Sequence, residues 1–215
     1  MASQSTYHKG LEVMKLHHSS VSYFSKYATY SDTNAVKVAS KLSRGPDQLQ
    51  FLIGKGLKPT STLLDFGCGA GRLTHYAVPY LDPGCYTGMD ISTKVLIEAR
   101  KRVNDNRDPQ FIQGKGDLKF VKCRHFDMIW ACSVLSHMPP DAIEVLFENL
   151  SNWPTISFGV FYFTYSESDE LTQTAWNNFN YTSKWFIRHA NRMDMNAELL
   201  DLKWLGGQRI LRIWR

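Results

Sequence analysis

Short strand-like segments rich in apolar residues alternate along this chain with stretches whose apolar residues recur every three or four positions. The segments fall at 61–66, 85–90, 110–113, 126–131 and 156–163. The last of them, 156–163, is an uninterrupted β-branched and aromatic run, which suits a buried strand. Helical spacing is expected over 70–80, 92–105, 139–150 and 183–193. Leu81-Asp82-Pro83-Gly84 reads as a turn, Ser92 as a helix N-cap and Pro139-Pro140-Asp141 as a helix start. Two further strands, about 198–204 and 208–214, close as a hairpin through Gly206-Gly207. Upstream, Leu11, Met14, His18, Val21, Phe24 and Tyr27 predict a helix over 9–30. A second is expected over 34–44, and a third from Asp47 to Gly54. Strands alternating with helices predict a mostly parallel sheet, and the terminal hairpin adds an antiparallel strand.

Composition narrows this picture. The 215 residues are 43% hydrophobic and include 28 aromatics, enough for one domain with a sizeable core. No apolar run is long enough to span a bilayer. Met1-Ala2-Ser3-Gln4-Ser5-Thr6 lacks the apolar stretch of a signal peptide, so a cytoplasmic protein without membrane partners is expected. The cysteines at 68, 85, 123 and 132 have no C-x-x-C spacing and read as reduced thiols, with no metal site. Residues 1–60 hold eight Lys/Arg against three Asp/Glu, which accounts for the whole net charge of +5. Those charges are spread out rather than run together, which suits a solvated helix face better than a nucleic-acid partner.

The most informative stretch is 63–74, Leu-Leu-Asp-Phe-Gly-Cys-Gly-Ala-Gly-Arg-Leu-Thr. It reads as a strand, a glycine turn and a helix start, the arrangement that receives a nucleotide-type ligand. A dinucleotide fingerprint would put glycine at 72, where Arg72 stands. Asp65 at the strand end would repel a pyrophosphate and suits a ligand with a cationic amino group, as S-adenosylmethionine (SAM) has.

Asp65-Phe66-Gly67-Cys68-Gly69-Ala70-Gly71 resembles motif I of class I SAM-dependent methyltransferases. Tyr86 to Ser92 resembles the family's second strand, Gly116-Asp117-Leu118 its adenine-side loop, and Phe126 to Met138 its fourth strand and following loop. The likeness covers roughly residues 45–215 and is of the small-molecule type. It implies an α/β, doubly wound, mostly parallel seven-stranded sheet of order 3-2-1-4-5-7-6, strand 7 antiparallel, with helices on both faces. Residues 1–45 would form an N-terminal helical lid or substrate segment, and residues 46–215 the methyltransferase domain.

The resemblance also implies site residues. SAM, converted to S-adenosylhomocysteine (SAH), would be held by Asp65, Gly67, Cys68, Gly69, Gly71, Arg72, Thr74, Asp90, Ile91, Asp117, Leu118, Ala131 and Cys132. Asp90, at the end of the second strand, is positioned to accept from both ribose hydroxyls. Asp117 would accept from the adenine amine, with a surface ion pair as its alternative role. The Asn/Asp-Pro-Pro-Tyr/Phe box of exocyclic-amine methylation is absent, and Ala131-Cys132-Ser133-Val134 stands there instead.

His137, just past the fourth strand, is the candidate base that deprotonates the acceptor; capping the next helix is its alternative role. The pair His17-His18 is a second candidate. Tyr23, Tyr27, Tyr165 and Trp176 are the candidate lid and acceptor-pocket residues, with ordinary packing as the alternative. The expected activity is methyl transfer to an oxygen or nitrogen of a small molecule. The alternatives are an RNA or protein methyltransferase using the basic N-terminal segment, and a SAM-binding partner or sensor without turnover.

Overall fold

A computed structural model of the chain describes residues 20–39, 44–103, 105–114, 118, 124–152, 156–204 and 206–215. Six α-helices are described: α1 Ser20–Ala39, α2 Gly45–Gly54, α3 Thr74–Tyr80, α4 Thr93–Arg100, α5 Pro140–Ser151 and α6 Ser183–Arg192. The strands are β1 Leu63–Phe66, β2 Tyr86–Asp90, β3 Gln110–Gln113, β4 Arg124–Ala131, β5 Ile156–Tyr165, β6 Thr172–Ala175, β7 Asn178–Asn180, β8 Asn196–Lys203 and β9 Arg209–Trp214. A 3-10 turn, Leu135–His137, follows β4.

Seven strands form one sheet of order β3-β2-β1-β4-β5-β9-β8. The first five are parallel, β9 runs antiparallel to β5, and β8 antiparallel to β9. This is the expected order, with β8 and β9 as the terminal hairpin. β1 lies at the centre, and its four residues are all buried. Its side chains alternate between two cores. Leu63 packs with Leu52, Leu73 and Ala77 of the α2–α3 side. Leu64 and Phe66 pack with Ile143, Phe147 and Phe186 of the α5–α6 side. The period of two thus commits each face of the sheet to its own helices.

Several expected boundaries moved. The expected break between 30 and 34 is absent, and α1 is continuous from Ser20 to Ala39. No Gly or Pro interrupts it. Thr29 and Thr33 donate to the carbonyls of Ser25 and Thr29, which keeps them inside the helix. The parts of the expected N-terminal helices at 9–19 and 40–43 lie outside the described residues, as do His17 and His18. α3 starts at Thr74 rather than 70, because Gly71 has φ +87° and cannot continue an α-helix backward. α4 ends at Arg100, and Ser92 caps it by accepting from the Val95 N–H at 3.1 Å. The long connection after β5 holds an unforeseen two-stranded sheet, β6–β7.

Candidate functional site

The carboxyl ends of β1, β2 and β4 converge beneath α1 on a cavity of about 550 Å³. The motif turn forms its floor. The Gly67 and Cys68 N–H groups donate to the Met89 carbonyl at 2.7 and 3.0 Å, tying the turn to β2. Gly67 and Gly71 are required by close approach as well as by positive φ. A Cβ on Gly67 would lie 2.3 Å from Val134 Cγ2, and one on Gly71 would lie 3.0 Å from Ala99 Cα of α4. Gly69 is different: it has φ +57°, and a Cβ there would meet nothing within 4 Å. Its backbone faces open space.

Two acids stand at this floor. Asp90 accepts from the Gly69 N–H at 3.0 Å through Oδ2 and from the Ser92 N–H at 3.0 Å through Oδ1. A carboxylate has about four lone-pair sites, so capacity remains on both oxygens. Burial raises the Asp90 carboxyl, while the N–H groups of Ser92, Gly69 and Ile91 oppose the rise. Asp65 is held differently. Thr74 Oγ1 lies 2.6 Å from the Tyr86 hydroxyl, which donates to Asp65 Oδ2 at 2.7 Å. Burial pushes Asp65 up to about 7; Tyr86 opposes this, the Asp90 charge adds to it, and Arg72 opposes it. The floor is therefore a pair of desolvated carboxyls facing a cavity that Arg72 also lines.

The opposite side is built by α1, the 3-10 turn and the β6–β7 hairpin. Phe24, Tyr27 and Tyr30 of α1 line it together with His137 and Asn177. The Tyr23 hydroxyl donates to the His137 carbonyl at 2.6 Å, anchoring α1. Ser92 Oγ also donates to Asp32 and ties α1 to α4. His137 Nδ1 lies 2.7 Å from the Asn177 carbonyl. A carbonyl only accepts, so Nδ1 carries a proton, and in the neutral ring Nε2 then carries the lone pair.

Residues 64–153 match the family model described as a methyltransferase domain. Over that stretch the chain is similar to methyltransferase domains. A "Probable methyltransferase ltbC" of Aspergillus luteorubrus is 31% identical over 107 residues, which is 45% of this chain and 36% of that protein. The chain thus aligns with about a third of that relative's length. Among solved structures, magnesium protoporphyrin IX methyltransferase (ChlM) from Synechocystis PCC 6803 with bound SAM has a TM-score of 0.60 at 15% identity. That match covers 86% of this chain and 83% of that one. A DhpI–SAH complex reaches 0.64 at 14%, covering 88% and 95%. The glycopeptide N-methyltransferase MtfA with SAM reaches 0.63 at 14%, covering 79% and 93%. At these identities the solved structures establish the fold.

The fold brings most of the sequence-chosen residues to the cavity. Asp65, Gly67, Cys68, Gly69, Arg72, Asp90, Ile91, Cys132, His137 and Tyr27 all line it. Others stand behind it. Gly71 packs against α4, and Thr74 is fully buried with its hydroxyl spent on Tyr86. Leu118 and Ala131 are core residues, and Tyr23 is an anchor. Trp176 lies above the cavity rather than in its lining, against Tyr23, Tyr27 and Tyr30. Tyr165 corrects an expectation: it ends β5 and is fully buried, with its ring 4.8 Å from that of Phe186. Asp117 lies outside the described residues. Cys68 and Cys132 are thiols raised by burial, the wrong direction for nucleophiles. Among the described residues no group of three or more His, Cys, Asp or Glu is placed to hold a metal, and no helix is long and apolar enough to cross a membrane.

Sequence reasoning missed Gln48. This buried residue of α2 lines the cavity and accepts from Trp130 Nε1 at 2.8 Å. A glutamine two residues after Pro46 has no motif to mark it. Ser133 was also missed: it lines the cavity with φ +59°, its N–H held by Thr164 Oγ1 at 2.7 Å. Such a non-glycine conformation is unfavourable and needs surrounding structure to hold it.

Proposed function

We propose that this chain transfers the methyl group of SAM to an oxygen or nitrogen of a small-molecule acceptor by in-line displacement. The observation that carries the reading is one cavity with the motif carboxyls on its floor and His137 with the α1 rings opposite. The residues fit SAM in their chemistry. Asp65 and Asp90 suit a ligand with an ammonium group and ribose hydroxyls, and would repel a pyrophosphate. The open backbone at Gly69 leaves room for close approach. When bound, SAM supplies a methyl group on a cationic sulfur with a good leaving group.

The chain's own residues then have distinct tasks. Asp90 accepts from the ribose hydroxyls with the lone pairs its backbone bonds leave over. Asp65, supported by Tyr86, faces the ammonium, and Arg72 the carboxylate of the methionine part. Met89, Ile91 and Val95 supply apolar surface for the adenine. Of the proposed lid segment 1–45, α1 covers the cavity of the domain proposed for 46–215 and excludes water from the reacting groups. In-line positioning supplies most of the rate, and His137 Nε2 takes the acceptor's proton.

The test is methyl transfer from radiolabelled SAM to three pools: low-molecular-weight alcohols, phenols and amines; total RNA; and a protein extract. Label is expected in the small-molecule pool. Label confined to RNA or protein would replace this reading with a macromolecular one. Tight SAM binding without label in any pool would favour a sensor.

A further inference from the structure

We propose that the acceptor is an uncharged aromatic hydroxyl compound, a small phenol, whose proton passes to His137 Nε2. This rests on the methyltransferase reading and narrows it.

Charge comes first. Among the described residues lining the cavity, the only acids are Asp65 and Asp90, both on the motif floor. Asp32, the described acid of α1, is taken by Ser92 at the start of α4. The side formed by α1, His137 and the hairpin therefore offers an ammonium acceptor no carboxylate. Aromatic faces can hold a cation instead, but Lys26 Nζ already lies 4.4 Å from the centre of the Trp176 ring. Trp176 in turn packs on Tyr27 and Tyr30, with ring centroids at 6.2 and 5.5 Å. A second cation brought to these rings would meet the lysine's charge. A neutral flat ring meets no such opposition and finds Phe24, Tyr27 and Tyr30 to pack against.

Proton chemistry comes second. The bond from Nδ1 to the Asn177 carbonyl fixes the tautomer that leaves a lone pair on Nε2. Among the described residues, none hydrogen-bonds to Nε2. An imidazole takes up a proton with a reference pKa of about 6.5 and a phenol gives one up near 10, a gap of about 3.5 units. Water, the reference for an alkyl hydroxyl, stands at about 15.7. A lone histidine is thus far better matched to a phenol than to an aliphatic alcohol. A carboxylate acceptor would need no base at all.

The step balances. The phenol oxygen forms a bond to the methyl carbon as the carbon–sulfur bond breaks. The electron pair of that bond stays on sulfur, giving neutral SAH. The phenolic proton moves to Nε2, so the positive charge of the sulfonium leaves as imidazolium.

The experiment uses three probes with one ring system: 1-naphthol, 1-naphthylmethylamine and 1-naphthoate. Their binding to the full chain with SAH is measured by calorimetry, and their methylation with labelled SAM. Naphthol is expected to bind at least tenfold more tightly than either charged probe and to be the one methylated. Lys26→Glu should reverse the preference between naphthol and the amine. His137→Gln should lower naphthol methylation by about 10²–10⁴-fold while naphthol affinity changes less than threefold. Preferred binding of the amine or the carboxylate overturns the proposal. So does intact SAH binding with no naphthol binding, which would leave the methyltransferase reading standing. Loss of SAM and SAH binding would instead remove that reading.

Discussion

The Tyr86 hydroxyl reaches across from β2 and donates to the carboxyl of Asp65 on β1 at 2.7 Å, with Thr74 Oγ1 2.6 Å behind it. Three buried polar groups therefore share two hydrogen bonds, and none can lose its partner cheaply. Tyr86→Phe leaves Thr74 and Asp65 short of one partner each. It should cost about 1–3 kcal/mol of stability and weaken SAM binding at neutral pH, measured by chemical denaturation and calorimetry. Unchanged stability would mean that water replaces the hydroxyl.

The raised Asp65 carboxyl links folding to pH. Its pKa is about 7 in the folded chain, against an unfolded value of about 3.9. Its contribution to stability is full below about pH 4. It is lost as pH rises toward 7, because the unfolded chain gives up the proton first. Asp65→Asn should remove that part of the decline, seen in denaturation curves at pH 5, 6, 7 and 8.

A cationic ligand favours the charged form of the same carboxyl. SAM affinity should therefore rise with pH between about 6 and 7.5, and binding in that window should release a proton. Above about pH 8 the amino group of SAM begins to lose its own proton and the gain should stop. Calorimetry in two buffers of different ionisation enthalpy counts the proton. No proton release at pH 6.5 would place the ammonium away from Asp65.

Asp90 carries two roles that one substitution has to separate. It accepts from Gly69 and Ser92 as well as facing the cavity. Asp90→Ala removes both roles, whereas Asp90→Asn keeps one acceptor oxygen. Asp90→Asn should lower SAM affinity roughly tenfold, the worth of a charge-assisted bond at about 1.5–3 kcal/mol. Its melting temperature should stay within a few degrees. An unchanged dissociation constant would move the ribose site elsewhere.

The parts of the fold that sequence made legible are those set by strong local rules. Segments rich in apolar residues marked β1, β2, β4 and β5, glycines marked the turn at 67–71, and Ser92 marked its helix. The β6–β7 hairpin escaped because Thr172-Gln173-Thr174-Ala175-Trp176-Asn177-Asn178 shows no alternation. Its pairing serves to carry Asn177 to His137, a tertiary demand with no local signature. Tyr165 was misplaced because a strand end and a following loop look alike when both are aromatic. Gln48 and Thr74 show a further limit. Either residue type is ordinary on a helix surface, and only packing directs one to Trp130 and the other to Tyr86.

Titration calorimetry with SAM, SAH and NAD tests the central claim most directly. The account predicts micromolar binding of SAM and SAH, about −7 to −8 kcal/mol, with NAD failing to compete. Tight NAD binding with no SAM binding would contradict it.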